Sequence, residues 1–143
     1  MKHASRGGGA KLAGSSSLSS LALIMETLLA PGGCPWDRKQ THSTLLKYLR
    51  EEAGEVSRAV RKRDWENLRE ELGDVLLQVV FHAALARRAG HFTLGDVIRT
   101  VNAKMVRRHP HVFGGAKLAT SAQVLRQWKK IKIAEKLKAG KKP

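Results

Sequence analysis

Apolar residues recur every three or four positions along most of the chain, and no apolar–polar alternation lasts long enough to make a strand. This periodicity predicts five helices. The first covers about 19–29, and the APGGCP stretch at 30–35 breaks it. A second runs over about 41–63, with Thr41 or Ser43 as its N-cap. Asp64 caps the third and longest, 65–89, which Gly90 ends. Thr93, with Asp96 three residues on, starts a fourth that reaches 107 or 108 before Pro110 stops it. After the loop opened by Gly114 and Gly115, Thr120 or Ser121 caps a fifth helix ending near 138. No repeat of solenoid length is present. The expected fold is all-α, one helical domain over 19–138 between a flexible, basic Gly/Ser-rich tail (1–18) and a short basic tail (139–143).

Length and composition narrow this picture. A chain of 143 residues holds one modest core and is too short for two. Its one cysteine, Cys34, allows no intramolecular disulfide, which fits a reducing cytoplasm. No apolar run approaches the roughly 20 residues that span a bilayer. Lys2, Arg6 and Lys11 precede the apolar stretch 21–30, but Glu26 interrupts it and no small-residue cleavage pattern follows; a disordered tail is favoured over a transit peptide.

Charge changes the picture more. The chain carries 27 Lys+Arg against 12 Asp+Glu, a formal net charge of +15, and the stretch from Lys117 to Lys142 holds a single acid, Glu135. Such a stretch suits nucleic acid or an anionic small molecule, and charge alone does not separate them. Against this background, six of the 12 acids fall in two pentapeptides, EEAGE at 51–55 and EELGD at 70–74. Residues three or four apart share a helix face, so Glu52 projects with Glu55, and Glu71 with Asp74. Two such helices packed face to face would gather four carboxylates, which repel one another unless a cation lies between them. A hard, all-oxygen donor set of this kind suits Mg²⁺ or Mn²⁺.

The plainer alternative is a solvated acidic face served by Arg58, Arg61 and Arg69. The apolar flanks weigh against it: Leu45, Leu49, Val56 and Val60 on one helix, Leu72, Val75, Leu76 and Val79 on the other. Carboxylates bordering a core stripe are costly without a partner. Gly54 and Gly73 lie within the acidic clusters, each costing about 1 kcal/mol relative to Ala; close helix approach, or room for a bulky ligand beside the metal, would account for them, and the plainer alternative is that they are tolerated without a role.

A carboxylate-only metal site with no Cys or His at ligand spacing points to phosphate chemistry. Glu51 and Glu70 are the spare acids nearest it, and Glu51 is a candidate general base as well as an ordinary solvent-facing acid. A polyphosphate also needs cations. Lys104 and Arg108 are i,i+4 on the fourth helix, and Trp128 and Lys132 are i,i+4 on the fifth, pairing a stacking surface with a charge. His109 and His111, on either side of Pro110, read as structural residues or as supports behind the site, in preference to direct catalysis. The CPWD turn at 34–37 orders the entry to the second helix, and Cys34 has no neighbouring His or second Cys to make it a nucleophile.

Taken together, CPWDRKQTHSTL at 34–45, EEAGEV at 51–56, REELGDVLLQVVFHA at 69–83, RRHPHVFG at 107–114 and WKKIKIAEK at 128–136 resemble the MazG family of nucleoside triphosphate pyrophosphohydrolases. The likeness runs from about 21 to 136. It implies Mg²⁺-dependent conversion of a nucleoside triphosphate to the monophosphate and pyrophosphate, in a helical fold whose bundles are completed by homodimerisation. By position, Glu52, Glu55, Glu71 and Asp74 match the family's metal ligands, and Glu51 and Glu70 its adjoining acids. Lys104, Arg108, Trp128 and Lys132 match positions implicated in nucleotide contact. The chain departs from the pattern at Gly54, where the family often has a bulky residue, and in its far more basic ends. A role in clearing the nucleotide pool is expected. The competing reading is a basic helical nucleic-acid-binding or regulatory module without catalysis, although no helix-turn-helix, RRM or basic zipper is recognisable.

Overall fold

Arg63 in the left-handed region (φ 54°) and Asp64 in an extended conformation turn the chain between its two longest helices. In the computed structural model, which describes residues 6–142, these are α4 (His42–Lys62) and α5 (Trp65–Arg88). The turn is too short for anything but an antiparallel hairpin. Thr41 caps α4 through a reciprocal box with Thr44, and the Asp64 carboxylate accepts from the Asn67 amide at 3.1 Å to start α5.

Before this hairpin come α1 (Arg6–Ala13), α2 (Leu18–Leu29) and the single turn α3 (Pro35–Arg38). Apolar side chains of three helices meet in the core: Met25 and Leu29 of α2, Leu45 of α4, and Val80, Phe81 and Ala84 of α5. Leu18, Leu21, Tyr48, Leu77, Leu85 and Leu94 pack around them. Glu26 and Arg87 clasp α2 to α5 with a bidentate pair at 2.6 and 3.0 Å.

The rest of the chain comprises α6 (Leu94–Arg108), the turn α7 (Pro110–Phe113) and α8 (Ser121–Lys138), which Thr120 caps in a box with Gln123. The chain divides into two compact units, Met1–Gly95 and Asp96–Pro143. In the second unit, Glu135 of α8 takes Arg107 Nε at 2.6 Å and Arg108 Nη2 at 2.9 Å. Trp128 Nε1 donates to the Arg108 carbonyl at 2.6 Å. No described residue of this unit is fully buried.

All described elements are helical or irregular, as the periodicity predicts, and the five long helices fall within a residue or two of their expected bounds. Three short helices go beyond the expectation. α1 forms within the Gly/Ser-rich segment, where Ala10, Lys11, Leu12 and Ala13 are good helix formers. The other two, α3 and α7, are single turns started by Pro35 and Pro110 at their first positions. Residues 1–5 of the expected tail lie outside the described residues. No helix among the described residues is long and apolar enough to cross a membrane.

Candidate metal centre

Antiparallel packing of α4 on α5 sets the acids of one helix against those of the other. Glu52 from α4 and Glu71 and Asp74 from α5 each bring a carboxylate oxygen within 4.8 Å of the others. All three are half-buried. Burial pushes the Glu52 carboxyl above its ordinary value, and the charges of Asp74 and Glu71, a hydrogen bond shared with Glu71, and the charge of Glu51 add to the rise. Burial is the largest cause, and the crowding of like charges adds to it.

Glu55, one turn along from Glu52, does not join them. Its carboxylate is held by Arg58 through a bidentate pair that includes Nε at 3.0 Å, and this hydrogen bond lowers its pKa. The Arg58 charge also reaches Glu71. Glu51 is exposed and borders the cluster through its effect on Glu52. Glu70 is exposed and lines a shallow open pocket with Asp64, Glu66, Asn67 and Arg69.

The four candidate phosphate and base contacts lie in the second unit. There Trp128 donates to the Arg108 carbonyl and the Arg108 guanidinium pairs with Glu135, whereas Lys104 is half-buried and Lys132 exposed. The His109 ring stands edge-on to Trp128 at 5.2 Å and its Nδ1 meets the Met105 carbonyl. Sequence spacing gave no sign of a second histidine pair: His42 and His82 stack with centroids 5.0 Å apart and Nδ1 atoms at 2.7 Å. Burial, then the His42 charge, lowers the His82 pKa.

Neither acidic-cluster glycine marks a close helix approach. A Cβ on Gly54 would meet only the end of Arg58 at 3.9 Å, and one on Gly73 would meet nothing within 4 Å. What remains of the explanations the sequence offered is room for a ligand beside the carboxylates, or glycines tolerated there without a role.

Residues 40–113, which carry both acidic clusters, match the MazG nucleotide pyrophosphohydrolase domain. The chain belongs to the MazG family. It is 53% identical over 122 residues to the nucleoside triphosphate pyrophosphohydrolase/pyrophosphatase MazG of Thermotoga maritima, covering 85% of this chain and 45% of that protein. Identity to the nucleoside triphosphate pyrophosphohydrolase of Escherichia coli K12 is 42% over 120 residues, 83% of this chain and 46% of that one. The chain thus spans under half the length of these two relatives. A crystal structure of a MazG-related protein from Thermotoga maritima superposes with a TM-score of 0.68 at 36% identity, over 80% of this chain and 98% of that one.

Proposed function

We propose that this MazG domain hydrolyses nucleoside triphosphates to the monophosphate and pyrophosphate with Mg²⁺ or Mn²⁺, in the service of nucleotide-pool clearance. The observation that carries this reading is the convergence of Glu52, Glu71 and Asp74 from two helices. Their donor set is hard and all-oxygen, and the like-charge crowding that adds to the burial-driven rise of the Glu52 pKa is what a divalent cation relieves, so the residues fit the ion. Bound there, it would neutralise phosphate oxygens and favour in-line displacement at phosphorus.

The protein side of the reaction follows from placement. Water attacks the α-phosphorus, the bond from that phosphorus to the α,β-bridging oxygen breaks, and pyrophosphate leaves with that oxygen. Glu51 is free to orient or deprotonate the water, being exposed beside Glu52. Glu55 joins the ligand set once its pair with Arg58 opens, and this releases a guanidinium next to the cluster for phosphate. Lys104, Arg108, Trp128 and Lys132 are carried over as nucleotide contacts from the family pattern. Use of Arg108 requires it to leave or share Glu135.

A pyrophosphate-release assay across a nucleotide panel, with and without Mg²⁺, tests this reading. Asp74→Asn and Glu71→Gln should each lower turnover by about 100-fold or more while leaving the far-ultraviolet circular dichroism unchanged, because removing a ligand weakens metal binding rather than the fold. Wild-type turnover by either variant at limiting Mg²⁺ would refute the assignment. The same domain is proposed to act as a homodimer in the cytoplasm. The dimer is supported by exposed Leu72, Leu76 and Val79 along one face of α5.

A further inference from the structure

We infer that the exposed face of α8, with Lys117 beside it, is a docking surface for the phosphate backbone of duplex DNA. Charge is gathered in this part of the chain. The second unit, Asp96–Pro143, holds 13 Lys+Arg and two Asp+Glu, so it carries +11 of the net +15. Both acids are already paired, Asp96 with Arg99 and Glu135 with Arg107 and Arg108. Among the described residues, no carboxylate lies in ion-pair range of Lys117, Arg126, Lys129 or Lys130. This stretch also lies beyond residues 40–113, which match the MazG domain.

Helical period divides the side chains of α8. Gln127, Trp128, Ile131 and Glu135 are half-buried on one side, and Arg126, Lys129, Lys130 and Lys136 are exposed on the other. Lys129 and Lys130, about 100° apart around the axis, stand on the two flanks of the exposed face. Arg126 lies one turn before Lys130 on the same flank. Lys117, from the loop before the helix, joins these two around a recess of about 310 Å³, with Leu118, Gln123 and Gln127 on its other walls. Cations gathered without an acid between them repel, and a chain of phosphates relieves that repulsion.

Chemistry narrows the polyanion. Proteins that hold single strands stack bases on aromatic rings, and the exposed face of α8 has none. Trp128, the one aromatic residue of this helix, donates to the Arg108 carbonyl. A helix that lies on a membrane keeps its apolar and cationic sides apart. Here Leu125, Ile133 and Leu137 are exposed among the cations. A second copy of the chain would set the same positive face against itself. Duplex DNA presents one negative charge per about 1.7 Å of its axis. Its major groove, about 12 Å wide, admits a helix, whereas that of duplex RNA is too narrow. Lys129 and Lys130 can then each serve one strand.

Contacts of this kind go to phosphates and carry no base information, so binding is independent of sequence and sensitive to salt. The surface is separate from the metal centre, whose Glu52, Glu71 and Asp74 lie in the first unit. It also leaves out Lys104, Arg108, Trp128 and Lys132, the candidate nucleotide contacts, and so does not depend on the hydrolase reading.

Fluorescence anisotropy of the full chain with short labelled DNA duplexes of two unrelated sequences tests this. Both should bind alike, and log K should fall against log salt with a slope of about −3 to −4, as four cations imply. The triple variant Lys117→Ala, Arg126→Ala, Lys130→Ala should weaken binding about tenfold or more at low salt and bring the slope to about −1. Its far-ultraviolet circular dichroism and its nucleoside triphosphate turnover should stay as in the wild type. Lys11→Ala, Lys39→Ala, Arg88→Ala removes the same charge from exposed positions of the first unit and should leave DNA affinity unchanged. A chain ending at Lys138 should keep its affinity too. Absence of binding at low salt, equal losses in the two triple variants, or loss on removing the tail would overturn the proposal. So would tighter binding of single-stranded DNA, duplex RNA, polyglutamate or phosphatidylserine vesicles than of duplex DNA.

Discussion

Glu135 accepts from two guanidinium groups of another helix, and its hydrogen bonds to Arg108 and then Arg107 hold its pKa down to about 2 from an ordinary 4.5. A carboxylate whose pKa is depressed by folding stabilises the folded state above the unfolded value and loses that contribution as pH falls through the folded one. The second unit should therefore weaken between pH 4.5 and about 2. Thermal unfolding of wild type and Glu135→Gln, followed over that range, checks this: the wild-type Tm should fall more steeply, and parallel curves would refute the role. Residue-level legibility in the sequence follows the same physics. Helical spacing sufficed to bring Glu52, Glu71 and Asp74 to one place, because the face each occupies is a local property. It did not foresee that Glu55 would turn to Arg58, three residues along its own helix, or that Arg108 would be taken by an acid 27 residues away. Partners across helices depend on packing, which spacing along one helix does not encode.

The joints between elements hold two further consequences. Arg63 ends α4 in the left-handed region, where a side chain with a Cβ costs about 1 kcal/mol and glycine does not. Arg63→Gly should thus raise stability to urea by about 0.5–1 kcal/mol, after allowance for the extra freedom glycine gives the unfolded chain; a loss would mean that the Arg63 side chain makes a contact of greater worth. Gly33 is the opposite case. A Cβ there would lie 2.2 Å from Leu28 O and 2.6 Å from Thr27 O, so Gly33→Ala must push the CPWD turn off the end of α2. Destabilisation of about 1–3 kcal/mol is expected, together with a changed Trp36 environment in near-ultraviolet circular dichroism. Caps and breakers made the long helices readable in advance: Thr41, Asp64 and Thr120 each accept from the amide three residues on. Single turns such as α3 and α7 are too short to show a period, and the glycines of α1 masked its helix-forming half.

At the scale of the molecule, the first unit has a core, and the described residues of the second include no buried side chain. Among the described residues, nine buried apolar side chains lie on α2, α4 and α5, whereas α6 and α8 expose Val101, Met105, Val106, Leu125, Ile133 and Leu137, each at 45–61%. The first unit also leaves an apolar stripe in water, with Leu72 at 51%, Leu76 at 43% and Val79 at 39%. Single exposed apolar residues are ordinary, but a row along one helix face is the mark of an interface. A second copy is the occupant this stripe favours: a twofold contact matches a face to itself, and the acids that would repel a like-charged partner are turned toward α4 instead. The strong positive charge of the whole chain opposes association, so the apolar contact has to outweigh it, and added salt should help. Light scattering at micromolar concentration should return twice the monomer mass, more firmly at high salt than at low. Leu72→Glu combined with Leu76→Glu should return the monomer while retaining helical circular dichroism, because both side chains already face solvent in the single chain. A monomeric wild type under all conditions, or an unaffected dimer in the double variant, would rule out this face.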